Sequence, residues 1–306
     1  MLDQEIKATY HLPGLFEFYD FYRVFLQLYR SKREWFYDWC QIGSIYGAPM
    51  DCIWGGGRIE ESQVEADQAF ALAQEYDISI RLTFSNSLLE ETDLRDKKCN
   101  ELCRLLEMMA NKSDGRKHGI IVHSELLCNY IRERYPVLYL VSSTTKVLTK
   151  FQELKAELER EEFSFVVPDF RLNKDIEELD NLEQKYKDKV EFLCNEACWF
   201  ECQDRKECYQ SVSRKNLGLK ADDHICVAPD SKRGYRFSDA MKNPGFIGIN
   251  DIRDTYLPMG FTNYKIEGRS LGSALILEFL LYYMTKPEYQ LSVREEIYLD
   301  NTLDLF

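Results

Sequence analysis

The sequence predicts an α/β fold, a (β/α)8 TIM-like barrel with an inserted cysteine-rich lobe after the seventh strand. Short apolar runs alternate with amphipathic stretches, the pattern of parallel strands with covering helices. Eight strand-like runs occur in a chain of 306 residues, which suits a closed barrel and leaves a doubly wound sheet as the alternative. The residues that follow the runs are consistently polar, as expected where barrel strands end and ligands bind.

The strand-like runs cover 8–12, 51–54, 78–84, 119–123, 137–143, 163–168, 190–194 and 263–266. Helical patterns fill most of the gaps, at 15–33, 61–75, 95–110, 124–134, 147–161, 173–186 and 270–285. The second run passes into Trp54-Gly55-Gly56-Gly57-Arg58, and the third into Ser85-Asn86-Ser87. His123-Ser124 closes the fourth and Ser142-Ser143-Thr144-Thr145 the fifth, while Asp169, Arg171 and Asn173 follow the sixth. Asn195-Glu196 follows the seventh, and the eighth ends in Lys265-Ile266-Glu267-Gly268-Arg269. Arginines beside a glycine loop suit recognition of an anionic small molecule. The run Gly55–Gly57 lacks the spacing of a phosphate-binding fingerprint. The expected organisation is one barrel domain over 1–306, with a lobe at 195–260 and a C-terminal helical segment at 270–306 packing on the barrel.

Composition narrows the function classes. With 45% apolar residues the chain can bury a large core. The longest apolar stretch, 274–284, is short of the ~20 residues that cross a bilayer and contains Glu278, so it predicts a buried helix and no membrane partner. A net charge of −13 repels a phosphate backbone, and Asp222, Asp223 and Asp230 interrupt the one denser basic segment, 215–236. A small metabolite or a protein partner is expected rather than a nucleic acid. No Gly-x-Ser-x-Gly or His-Glu-x-x-His sequence points to a hydrolase, and the four histidines form no metal-ligand motif.

Cysteines give the sharpest local signal. Cys194, Cys198, Cys202 and Cys208 lie within fifteen residues directly after the seventh strand-like run, and Cys226 follows. Thiolates gathered at a strand end can bind a soft metal or an iron–sulfur cluster. The opening residues carry no apolar signal segment, so a reducing cytoplasm, without disulfides, is expected. Cys40, Cys52, Cys99, Cys103 and Cys128 stand among apolar residues, as buried structural cysteines do. Spacing alone leaves zinc and iron–sulfur both open.

The ending Gly-Phe-Thr-Asn-Tyr-Lys-Ile-Glu-Gly-Arg at 260–269 resembles the Lys-Ile-Glu-Gly-Arg signature of the collagenase-like U32 peptidase family. Asp51-Cys52-Ile53-Trp54-Gly55-Gly56, Thr83-Phe84-Ser85-Asn86, Ser142-Ser143-Thr144-Thr145 and Asp251-Ile252-Arg253 are similar to other elements of that family, in the same order. The resemblance implies a TIM barrel whose cysteines hold a 4Fe-4S cluster, with Cys198, Cys202, Cys208 and Cys226 as ligands and Cys194 as the alternative. A zinc ion on the same four is the alternative cofactor. It further implies an iron–sulfur-dependent enzyme, with oxygen-independent hydroxylation of a small anionic metabolite as the reaction and a paralogous subunit as a partner. A peptidase, as the family name says, and a non-catalytic barrel with a structural zinc are the alternatives. Two departures stand out: Asn195 occupies the position of the family's usual histidine, and the ligand spacings are shorter. Under this reading Glu267, Arg269, His123 and Asp169 are the catalytic candidates, and Gly56, Arg58, Asn86 and Arg171 bind substrate.

Overall fold

Strand alternation separates two cores in the computed structural model, which describes residues 7–57, 64–112, 116–220, 224–229, 231 and 235–299. The strands are β1 (Ala8–Pro13), β2 (Cys40–Gly47), β3 (Ser79–Phe84), β4 (Gly119–Val122), β5 (Tyr139–Ser142), β6 (Phe163–Val166), β7 (Glu191–Leu193) and β8 (Asn263–Lys265). All pairings are parallel, in the order β6-β5-β4-β3-β2-β1-β8-β7. A parallel bridge between Val166 and Val190 joins the two ends, with Val166 N–H donating to the Lys189 carbonyl at 2.8 Å. The sheet therefore curls into a nearly closed eight-stranded barrel, as the sequence predicts.

Outward-facing residues Ala8, Tyr10, Leu12, Ile80, Leu82, Phe84, Phe192, Tyr264 and Ile266 belong to the large core between sheet and helices. That layer includes α1 (Tyr19–Ser31), α2 (Ala66–Glu75), α3 (Lys97–Lys112), α4 (Glu125–Arg134) and α5 (Phe151–Glu159). α1 shows why such helices form here: Phe21, Tyr22, Phe25, Leu26 and Leu28 recur at helical spacing and are its buried face. Inside the barrel a second, small cluster comprises Tyr46, Ile121, Val141, Val167 and Leu193. Inward side chains of successive strands fill a barrel in layers in this way.

Two expectations need correction. The second strand is Cys40–Gly47, not 51–54; the latter segment turns back beyond the strand, with Cys52 N–H donating to Pro49 and Gly55 N–H to Cys52. Gly43, Ser44 and Gly47 make β2 a poor strand by propensity, yet a Cβ at Gly43 would lie 2.3 Å from Thr9 and 3.0 Å from the His11 ring. Close packing inside the barrel selects the glycine there. The helical pattern at 173–186 is in fact two short helices, α6 (Ile176–Asp180) and α7 (Gln184–Lys187). Asn181 ends the first by donating from both its backbone and its side chain to the Glu177 carbonyl.

Between β7 and β8 the chain carries α8 (Arg205–Asn216), α9 (Phe237–Ala240) and α10 (Ile249–Asp251), the last continuing as a π-helical turn to Tyr256. α11 (Ser273–Met284) and α12 (Gln290–Leu299) follow β8. α11 buries Ile276, Leu277, Phe279, Leu280, Leu281, Tyr283 and Met284, the buried helix that its apolar run predicts. No helix among the described residues is long and apolar enough to cross a membrane.

Candidate binding site at the barrel mouth

Below the inner apolar cluster lies a charged layer. Arg81 on β3 forms a buried ion pair with Glu191 on β7, and its Nε donates to the Tyr139 hydroxyl at 2.8 Å. Lys265 Nζ donates to Glu191 Oε1 at 3.3 Å and stands 3.4 Å from the centre of the Tyr46 ring. His11 bonds Ser44 Oγ through Nδ1 at 2.8 Å. Burial works against ionisation of Glu191, but the charges of Arg81 and Lys265 outweigh it and hold the carboxyl below its usual range. Burial lowers Lys265 to about 8; Glu191 opposes that shift and Arg81 adds to it. Burial, reinforced by Arg81, drives His11 down to about 3, so it is neutral at physiological pH. One buried carboxylate thus faces two buried cations, and the barrel interior carries a surplus positive charge.

Above this layer, at the C-terminal ends of the strands, opens a cavity of about 70 Å³. Its floor includes Tyr46, Ile121, Val167, Leu193 and Lys265, and its rim Ser143, Thr144, Thr145, Glu267 and Arg269. Thr83 and Ser85 from β3 and its following loop also line it. Among the described residues both hydroxyls, Thr83 Oγ1 and Ser85 Oγ, are buried without a hydrogen-bond partner. Arg269 is 9% exposed, and among the described residues its guanidinium makes no hydrogen bond or ion pair. Buried polar groups are nearly always paired, so two orphaned hydroxyls and an unpaired guanidinium around one cavity mark a place built for a polar ligand. At ~10–15 Å³ of such water-probe volume per bound water, the cavity suits a compact molecule of about five to seven heavy atoms.

The sequence candidates divide around this cavity. Glu267 and Arg269 line it, and Gly57 touches it: a Cβ there would lie 1.9 Å from Arg269 Nη2. Gly56 serves the loop instead, since a Cβ would come 2.2 Å from the Ser85 carbonyl oxygen. His123 stands one bond away, its Nδ1 2.9 Å from the hydroxyl of Thr145, which donates to Ser143 Oγ at 3.0 Å. Burial, then Lys146 and Lys206, lowers His123 to about 4. Asn86 is a fastener, donating from Nδ2 to the Ile53 and Ser213 carbonyls and so tying the glycine loop to α8.

Asp169 and Arg171 lie off the cavity lining. Arg171 grips Asp169 with Nε at 2.6 Å and Nη2 at 3.0 Å, and donates from Nη1 to the Cys202 carbonyl at 3.0 Å. Arg205, fully buried, pairs with Glu196 and approaches Asp169 to 3.7 Å. This network is the pedestal of the cysteine loop. Arg58 lies outside the described residues. Sequence reasoning missed Lys265, Tyr46 and Tyr209 as lining residues. Lys265 had a signal: Asn263, Lys265 and Glu267 alternate, so a strand there aims Lys265 to the same side as Glu267.

The cysteines are placed as follows. Cys198 N–H donates to Glu196 Oε1 at 3.0 Å, Cys202 is buried, Cys208 sits in the first turns of α8 and Cys226 is exposed. Cys194 points into the outer core, where burial pushes its thiol up. Among the described residues no three His, Cys, Asp or Glu side chains gather as a metal-holding group. Cys198, Cys202, Cys208 and Cys226 therefore do not form a ready-made cluster or zinc site among the described residues.

No family model matches the sequence, and no curated protein does. Among solved structures, the chain is similar to the U32 peptidase Mk0906, with a TM-score of 0.53 and 14% identity over 88% of this chain and 96% of that one. The chain therefore has a U32-peptidase-like fold. That agrees with the resemblance carried by residues 260–269, and at this identity it speaks for the fold alone.

Proposed function

We propose that the barrel mouth binds a compact anion, a carboxylate or phosphate of a few heavy atoms, as the substrate site of an enzyme. The observation that carries this reading is the buried, unpaired guanidinium of Arg269 beside two orphaned hydroxyls. Arginine's planar fork suits an oxyanion, and the surplus cation Lys265 on the floor adds to the attraction. The small volume favours a metabolite over a polymer.

Amide hydrolysis, the activity in the name of Mk0906, draws little support from the lining. Among the described residues His123 makes one side-chain hydrogen bond, to the Thr145 hydroxyl at 2.9 Å, and no carboxylate bonds its ring to orient it as a hydrolytic base. A thermal-shift screen of inorganic phosphate, pyruvate and acetate against the unmodified protein and Arg269→Ala is the test. Stabilisation by at least one anion that disappears in the variant supports the reading; equal shifts in both proteins would sink it.

A second reading keeps the cysteine lobe as an iron–sulfur or zinc centre on Cys198, Cys202, Cys208 and Cys226. It rests on sequence spacing and on Arg171 and Arg205, both close enough to Cys198 to interact with it electrostatically. Among the described residues no three of these thiols gather at one point, so on this reading the lobe would close around the metal on loading. Iron, acid-labile sulfide and zinc contents of anaerobically purified protein decide it: less than one equivalent of any metal rejects the centre.

A further inference from the structure

Lys265 is a costly residue where it stands. Its side chain enters a layer otherwise made of Tyr46, Ile121, Val141, Val167 and Leu193, and it is 6% exposed. A structural explanation would require it to neutralise a buried carboxylate. The carboxylate at hand, Glu191, already has Arg81 as a fully buried partner, so charge balance of the interior does not call for Lys265. What distinguishes Lys265 from Arg81 is position. Arg81 faces the opposite, N-terminal end of the barrel, among the residues lining the opening there, whereas Lys265 lines the cavity at the mouth.

Resting on the anion-site reading above, we propose that Lys265 is a carbonyl-reactive amine and that the ligand is a compact carbonyl acid, its acid group on Arg269 and its carbonyl carbon on Lys265. A lysine in an apolar pocket next to another cation is the usual setting of an imine-forming amine. Here the apolar ring and Arg81 supply both conditions, and their combined effect keeps a share of the amine neutral near pH 7. The step balances without a further reagent. The neutral amine adds to the carbonyl carbon, forming a C–N bond, and the carbonyl oxygen takes up a proton. That oxygen then leaves as water. Overall an ammonium and a carbonyl become an iminium and water, and the single positive charge stays beside Glu191. The orphaned hydroxyls of Thr83 and Ser85 are placed on the lining to hydrogen-bond the oxygen as it is protonated.

Reductive trapping tests this. The full-length protein is incubated with pyruvate and sodium cyanoborohydride, and the adduct is counted by intact mass and located by peptide mapping. One adduct per chain on Lys265 is expected, with a trapping rate that rises as the pH increases towards about 8. Lys265→Met should abolish it. Should that variant fail to fold, the peptide map of the unmodified protein still decides, because adducts confined to surface lysines overturn the proposal. If pyruvate raises the melting temperature in an Arg269-dependent way but leaves Lys265 unmodified, the imine is refuted and the anion site stands. If pyruvate, phosphate and acetate neither bind nor trap, both readings fail.

Discussion

Replacing Gly57 by alanine separates a ligand-binding Arg269 from a structural one. The new Cβ would sit 1.9 Å from Arg269 Nη2 and 3.2 Å from Cζ, against 3.4 Å for ordinary contact. The guanidinium must therefore retreat by about 1.5 Å, and as the far end of a flexible side chain it can do so at little cost to the fold. Gly57 is not among the glycines with positive φ, so the backbone accepts alanine, and the unfolded chain loses entropy; together these leave stability within ~1 kcal/mol of the original. Binding should suffer far more. A charge-assisted hydrogen bond is worth ~1.5–3 kcal/mol, which corresponds to a loss of affinity of roughly 10- to 100-fold. Calorimetric titration with the best anion of the screen, alongside a melting curve, reads both quantities. Unchanged affinity in Gly57→Ala would refute the claim that Arg269 meets the ligand.

The neighbouring Gly56→Ala should behave oppositely: its Cβ would strike the Ser85–Asn86 backbone at 2.2–2.6 Å, an overpacking that costs ~1–3 kcal/mol and should lower the melting temperature by several degrees. Glu191→Gln leaves Arg81 and Lys265 buried without their counter-charge, a loss on the order of 3–5 kcal/mol, visible as a large fall in the urea midpoint. Acid should destabilise the fold through its histidines. His11, His118 and His123 have folded pKa values lowered to about 3, 4 and 4, so below their unfolded value of ~6.5 the unfolded chain binds protons that the folded one refuses. That contribution is complete above pH ~6.5 and fades as the pH falls; at pH 5 His11 alone accounts for ~2 kcal/mol of the loss. A urea midpoint for His11→Gln that falls as steeply as the unmodified protein's between pH 6.5 and 5 would contradict this.

Most of the barrel was legible because its strands are short apolar runs framed by polar ends. β2 was not: Gly43, Ser44 and Gly47 suppress its strand signal, and the packing of Thr9 and His11 that requires Gly43 comes from a strand thirty residues earlier. The more apolar Cys52-Ile53-Trp54 took its place in the reading, although Trp54 is buried as part of a loop, its Nε1 donating to the Asp93 carbonyl. At the site, Glu267 and Arg269 could be read from the end of β8, whereas Asp169 and Arg171 look like ligand groups in sequence and prove to hold each other and the cysteine loop. Tyr209 reaches the lining from α8, far along the chain from the strands it covers, and local sequence carries no sign of that. The orphan status of Arg269, Thr83 and Ser85 belongs to three-dimensional packing and has no one-dimensional signature.

Calorimetric titration of pyruvate and inorganic phosphate into the unmodified protein and into Arg269→Ala tests the central claim most directly. Saturable binding of at least one of them at one site per chain, weakened 10-fold or more in the variant at an unchanged melting temperature, is the predicted result. Binding of equal strength in both proteins, or none to the unmodified protein, would contradict it.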